Sequence, residues 1–120
     1  MPVIGIDHVQ LAMPAGGEQT ARSFYRDVLG VPEKPKPDNA GRGGCWFESA
    51  TVKIHLGVDP SFRAATKAHP GLLVSGLPAI VERSRQLGLE VVEAPPFDGC
   101  QRAFVTDPFG NRVELMEKSA

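Results

Sequence analysis

The 120-residue chain holds three histidines, His8, His55 and His69. Each sits in a segment that alternates or runs apolar: "DHVQLAM", "TVKIHLGV" and "HPGLLVSG". A fourth donor, Glu114, stands in "NRVELME". Three imidazoles and one carboxylate form a borderline donor set that suits Zn, Ni, Fe(II), Co or Mn. Mg and Ca prefer all-oxygen cages. A divalent ion needs three or four donors at about 2.0–2.2 Å on rigid elements, with a position open for water or substrate. Taken singly, a strand histidine is ordinarily half-buried with one ring nitrogen hydrogen-bonded, and a strand glutamate is ordinarily solvated. The metal reading therefore rests on the set.

The elements that must carry these donors follow from hydrophobic period. In "VIGIDHVQLAM", Val9, Leu11 and Met13 fall on one face of a strand, and His8, Gln10 and Ala12 on the other. In "GGEQTARSFYRDVLG", Ala21, Phe24, Tyr25, Val28 and Leu29 form one helical stripe that ends at Gly30. Residues 32–44 are rich in Pro, Gly and charge, a loop with room for a short edge strand, and either a lid over the site or a plain connection. "CWFESA" and "TVKIHLGV" then read as strands. Val52, Ile54, Leu56 and Val58 share one face of the second, and Lys53, His55 and Gly57 the other. Trp46 and Phe47 are adjacent, so one faces the site and its neighbour packs against a helix.

After "DPSFRAATKA" the order returns. "HPGLLVSG" is a strand and "LPAIVERSRQLG" a helix, with Pro78 early and Gly88 at its end. "LEVVEA" is a strand, and "QRAFVTDPFGNRVELME" a hairpin about an Asp-Pro-Phe-Gly-Asn turn. The spacing repeats: His8 and His69 lie 61 positions apart, His55 and Glu114 59, and Gly30 and Gly88 58. The four donors thus occupy two equivalent positions in two equivalent modules, 1–60 and 67–118, of a single domain spanning 1–120.

Composition narrows the partners. A formal net charge of −1 gives no basis for nucleic-acid or anionic-membrane binding. The absence of a long apolar run and of a basic, apolar N-terminal start points to a cytoplasmic protein. Cys45 and Cys100 do not form a CxxC pair and read as small packing residues without a disulfide.

Nearly the whole chain resembles the vicinal oxygen chelate superfamily, which includes glyoxalase I, extradiol dioxygenases, and fosfomycin and bleomycin resistance proteins. "IDHVQLAMP", "SFYRDVLG", "VKIHLGV", "HPGLLVSG" and above all "FVTDPFGNRVELME" carry the resemblance. It implies an α+β fold in which two βαβββ modules form a cupped mixed sheet around a metal that chelates neighbouring substrate oxygens. By the same resemblance, His8 and His69 match the ligands that open each module, and Glu114 matches the last-strand carboxylate. His55 matches the fourth position, where bacterial glyoxalase I has a glutamate. His55 is then a fourth ligand or a base beside a three-ligand metal, and Glu114 can leave the metal to act as a base. Ala12 stands where glyoxalase I has an arginine for the glutathione carboxylate, so a glutathione hemithioacetal is not the expected substrate.

The resulting expectation is a metal-dependent lyase or isomerase of glyoxalase type acting on a small oxygen-chelating substrate. One alternative is a metal-free drug- or metabolite-binding protein. Another is an Fe(II) extradiol-type dioxygenase with His8, His69 and Glu114 as its triad. Arg102 and Arg112, on strands flanking the last turn, are candidates to bind a substrate carboxylate. A homodimer is expected, because short half-sheets leave edges that pairing would cover.

Overall fold

The computed structural model describes residues 2–119. The chain runs β1 (Val9–Met13), α1 (Glu18–Ala21, continuing as a π-helical turn, Arg22–Arg26), β2 (Glu33–Lys34), β3 (Cys45–Glu48) and β4 (Lys53–Val58). It continues with β5 (Gly71–Leu73), α2 (Leu77–Gln86), β6 (Val91–Phe97), β7 (Cys100–Thr106) and β8 (Arg112–Lys118). Two units divide it, Met1–Phe62 and Arg63–Ala120. Each builds a four-stranded mixed sheet, ordered β1-β4-β3-β2 in the first and β5-β8-β7-β6 in the second. The fold is α+β, a βαβββ module made twice. No helix among the described residues is long and apolar enough to cross a membrane.

The two sheets agree in register as well as in order. In each, the first strand runs parallel to the last: Gln10 pairs with His55, and Gly71 with Glu114. Both partners stand two residues beyond the module's opening histidine, so His55 and Glu114 occupy the same rung. Across the antiparallel side of that rung stand Trp46 and Phe104. Two residues earlier on the closing strands, Lys53 and Arg112 also correspond.

Each sheet buries one face under its helix. In the first unit Phe24, Tyr25, Phe47 and Met13 are fully buried, and Tyr25 stacks on Phe47 at 5.7 Å. In the second, Leu77 and Val81 of α2 are buried, as are Ala103, Val105, Val113 and Leu115 of the sheet. Each large side chain so buried contributes about 1.5–3 kcal/mol. The alternation expected of β3, β4, β7 and β8 is present, with Phe47 on the helix side and Trp46 on the other face.

Three expectations need correction. His8 and His69 lie one and two residues ahead of β1 and β5, not within them. Pro70 has no N–H to give the ladder, although its carbonyl still accepts from Glu114 N at 3.0 Å. Ahead of β4 the chain turns back through Ser49 N to Val52 O at 2.8 Å, so the ladder of β1 stops short of His8. The first helix is not α-helical throughout. Asp27 N reaches Arg22 O at 3.0 Å and Leu29 N reaches Phe24 O at 2.8 Å, bonds that span five residues. The wider turn brings adjacent Phe24 and Tyr25 closer in angle, so both enter the core. Both helices still end at glycine, Gly30 with φ 76° and Gly88 with φ 78°.

The Asp-Pro-Phe-Gly-Asn turn is held by its own polar groups. Buried Asp107 accepts from Phe109 N at 2.9 Å and Asn111 N at 2.7 Å through Oδ1, and from Asn111 Nδ2 at 3.0 Å through Oδ2. These bonds fix where β8 begins and hence which face Glu114 takes.

Candidate functional site

Each unit brings two of the four candidate donors together on the sheet face away from its helix. In the first, the imidazole of His55 lies between two rings. Trp46 stacks on it at 4.1 Å with planes 3° apart, and His8 at 4.4 Å with planes 21° apart. The His55 side chain is only 6% exposed. Its Nε2 donates to Glu48 Oε2 at 2.7 Å, since a carboxylate only accepts, so in the neutral ring the lone pair is on Nδ1. His8 is arranged the opposite way. Nδ1 donates to Asp7 Oδ2 at 2.9 Å, so Nε2 carries the lone pair. Hydrogen bonds from His8, then from Lys53, hold the Asp7 carboxyl below the usual carboxylate range.

In the second unit, His69 Nδ1 lies 2.9 Å from the Lys67 carbonyl oxygen. A carbonyl only accepts, so Nδ1 must carry a proton. Nε2 meets Glu114 Oε1 at 3.0 Å, and an ionised carboxylate also only accepts. The two are joined either by a second proton on the ring or by a cation bound to both. Donors each about 2.1 Å from one metal ion sit about 3.0 Å apart at an octahedral angle and about 3.4 Å apart at a tetrahedral one. The donor types and their separation fit a divalent metal, and the backbone bond at Nδ1 is the kind that orients a ligating imidazole. Glu114 Oε2 accepts from Arg102 Nη1 at 3.1 Å. Burial pushes the Glu114 carboxyl up, but the hydrogen bonds from Arg102 and His69 outweigh it and hold it below the usual range.

His8 and His55 therefore meet in one unit, and His69 and Glu114 in the other. Among the described residues no group of three or more His, Cys, Asp or Glu side chains is gathered as a metal site. Sequence reasoning did not single out Glu48 or Asp7. Asp7 was readable as the neighbour of His8, whereas Glu48 reaches His55 only through the register of the β3–β4 hairpin. Arg102, one of the two candidates to bind a substrate carboxylate, is bonded to Glu114 and to the Pro95 carbonyl at 3.0 Å. Two of its five N–H donors are thereby committed within the protein, one of them to the candidate ligand itself. Cys45 and Cys100 are free and buried, and burial pushes the Cys45 thiol up to about 11, far from a nucleophile's range.

With this geometry established, comparison with known proteins is direct. The Glyoxalase/Bleomycin resistance protein/Dioxygenase superfamily model matches residues 5–115. No curated protein matches the chain. Among solved structures, a Bacillus anthracis protein described as of the glyoxalase family is 42% identical, with TM-score 0.86, over 98% of this chain and 97% of that one. The fosfomycin resistance protein FosX from Listeria monocytogenes is 20% identical, with TM-score 0.72, over 98% and 94% of the two chains. A FosX variant complexed with Mn(II) and 1S,2S-dihydroxypropylphosphonic acid is 18% identical, with TM-score 0.78, over 98% and 94%.

Proposed function

The chain belongs to the Glyoxalase/Bleomycin resistance protein/Dioxygenase superfamily, and on that premise we propose that it is a metal-dependent lyase or isomerase of glyoxalase type. The observation that carries this is the convergence of His69 Nε2 and Glu114 Oε1 at 3.0 Å, with Nδ1 already committed to a backbone carbonyl. By the resemblance, His8 is carried over as a further ligand, and in its neutral ring Nε2 keeps a lone pair that a metal could take. The Mn(II) complex of FosX, which shares the fold, supports a divalent transition metal as the class; the donor types admit Zn, Ni, Fe, Co or Mn.

When bound, the metal supplies Lewis acidity toward a carbonyl or enediolate oxygen of a small substrate. The protein's own residues do the rest. Arg102 keeps Glu114 ionised through its bond to Oε2, ready to bind a cation or to take a proton. Of the two roles open to His55, the base is favoured over the fourth ligand. Glu48 holds Nε2–H, Trp46 and His8 clamp the ring, and Nδ1 is fixed as the nitrogen that accepts a proton.

Metal analysis of protein purified without added metal or chelator tests this reading. About one divalent transition metal per chain, or its uptake on reconstitution, is expected. Clean absence with no uptake would overturn it in favour of metal-free ligand binding, and stably bound iron would favour ring-cleaving oxygenase chemistry. A homodimer belongs to the same proposal. β1 and β5 are edge strands of their sheets, and Ile4 and Ile6 just ahead of β1 are 94% and 85% exposed. Sedimentation should give twice the 12.9 kDa of one chain, and a monomer at micromolar concentration would end the dimer reading.

A further inference from the structure

The duplication provides an internal control for one unanswered charge. In the first unit, Lys53 stands two residues ahead of His55, and Asp7 answers it with Oδ1 3.4 Å from Nζ. Asp7 is the residue before His8. The corresponding positions in the second unit are Arg112, two residues ahead of Glu114, and Ala68, the residue before His69. The cation is kept and its carboxylate is not.

Among the described residues no acceptor replaces that carboxylate for Arg112. Among the described residues its contact is with Phe104, whose ring centroid lies 4.0 Å from the guanidinium carbon. Such a contact steadies a guanidinium while leaving its N–H fork unspent. Phe104 is the rung partner of Glu114 and meets the His69 ring edge-on at 5.3 Å. Arg112 therefore belongs to the same sheet face as Glu114, their Cα atoms about 7 Å apart along the strand. On that face of β7 and β8, two guanidiniums, Arg102 and Arg112, stand against one carboxylate. The neighbouring positions of β6 on the same face are Val92 and Ala94, paired with Phe104 and Arg102. Val92 is 54% exposed.

We propose that Arg112, seated on Phe104, is the oxyanion-binding residue of this site, and that the substrate is a small anion. Its carboxylate or phosphate-type group meets the guanidinium, and its chelating oxygens lie near Glu114. This deepens the metal-dependent reading, on which it rests for where the substrate's other end lies. Arg112 takes the role because Arg102 already serves Glu114 and Pro95.

The test is run on the full chain stripped of metal with chelator, so it does not depend on the metal reading. Arginine Nε–Hε resonances are followed by 15N NMR while acetate, inorganic phosphate or neutral acetamide is added. A saturable shift at Arg112 is expected with acetate or phosphate and none with acetamide; the stronger of the two anions identifies the group. Arg112→Gln should weaken binding at least tenfold, and Phe104→Leu by a few-fold through loss of the seat. Arg112→Lys, which keeps the charge without the fork, should fall between wild type and Arg112→Gln. Unchanged affinity in Arg112→Gln, a shift confined to Arg102, or no saturable shift up to the hundred-millimolar range would each overturn the assignment. A protein that binds metal normally yet shows no such shift fails on this inference alone.

Discussion

The two units share a ladder rung for rung and differ in what stands on it. On the common rung the first carries Trp46 and His55 stacked face to face, and the second carries Phe104 and Glu114. One arrangement is a clamped aromatic stack with a carboxylate behind it. The other is a half-buried imidazole–carboxylate–guanidinium chain. Position and direction are shared while the chemistry differs, with a stacked ring in the first unit and a carboxylate bonded to His69 and Arg102 in the second. The approach to the third strand differs as well. A long loop enters β3 at Gly44, where the second unit has Arg102 in a continuous hairpin strand.

That difference gives the largest expected effect. At Gly44, with φ +80°, a Cβ would lie 2.1 Å from the Leu56 carbonyl oxygen. Backbone would have to move, so Gly44→Ala should cost about 3–5 kcal/mol. Gly99, which likewise precedes a cysteine and the third strand of its unit, has φ +70° and nothing within 4 Å of such a Cβ. Gly99→Ala should cost only about 1–2 kcal/mol. Urea unfolding of the two variants compares them, and equal losses would break the contrast.

A smaller effect distinguishes how the units use a carboxylate. In the first, Glu18 at the start of α1 reaches out to accept Gly44 N at 2.7 Å. In the second, Glu117 reaches from β8 to accept Gly76 N at 2.6 Å and Leu77 N at 3.1 Å at the start of α2. The bond from Gly44 N, then that from its own N–H, holds the Glu18 carboxyl below its ordinary 4.5. A depressed carboxyl contributes stability that is complete above about pH 4.5 and is lost as pH falls through the folded-state value. Glu18→Gln should therefore cost about 1 kcal/mol at neutral pH, less where solvent screens the bond, and flatten the acid limb of stability. An unchanged acid limb would show that the bond carries no linkage.

Much of this was legible in the sequence because it follows from period and punctuation. The 58–61-residue repeat, the helix stops at Gly30 and Gly88, and the placing of Trp46 and Phe47 on opposite faces come from local pattern, whereas which of the two rings enters the core does not. Other features depend on register or on competing packing. That Glu48 meets His55 depends on how the hairpin between them closes. The stacking of His8 on His55 requires the parallel β1–β4 pairing. The π turn reflects two adjacent aromatics entering one core, a tertiary demand that a helical stripe does not specify. Arg102 and Arg112 looked interchangeable as strand arginines. The absence of a second Asp7, and the bonds of Arg102 to Glu114 and Pro95, separate them.

We propose above all that His69 and Glu114 bind a divalent metal and that His55 is not one of its ligands. Calorimetric titration with Mn(II) and Zn(II) of wild type, His69→Ala and His55→Ala tests it most directly. His69→Ala should lose at least tenfold in affinity, because one direct bond to the metal disappears. His55→Ala should lose distinctly less, because its Nε2 belongs to Glu48. Equal, undiminished affinity in His69→Ala would contradict the assignment, and a tenfold loss in His55→Ala would make His55 a ligand after all.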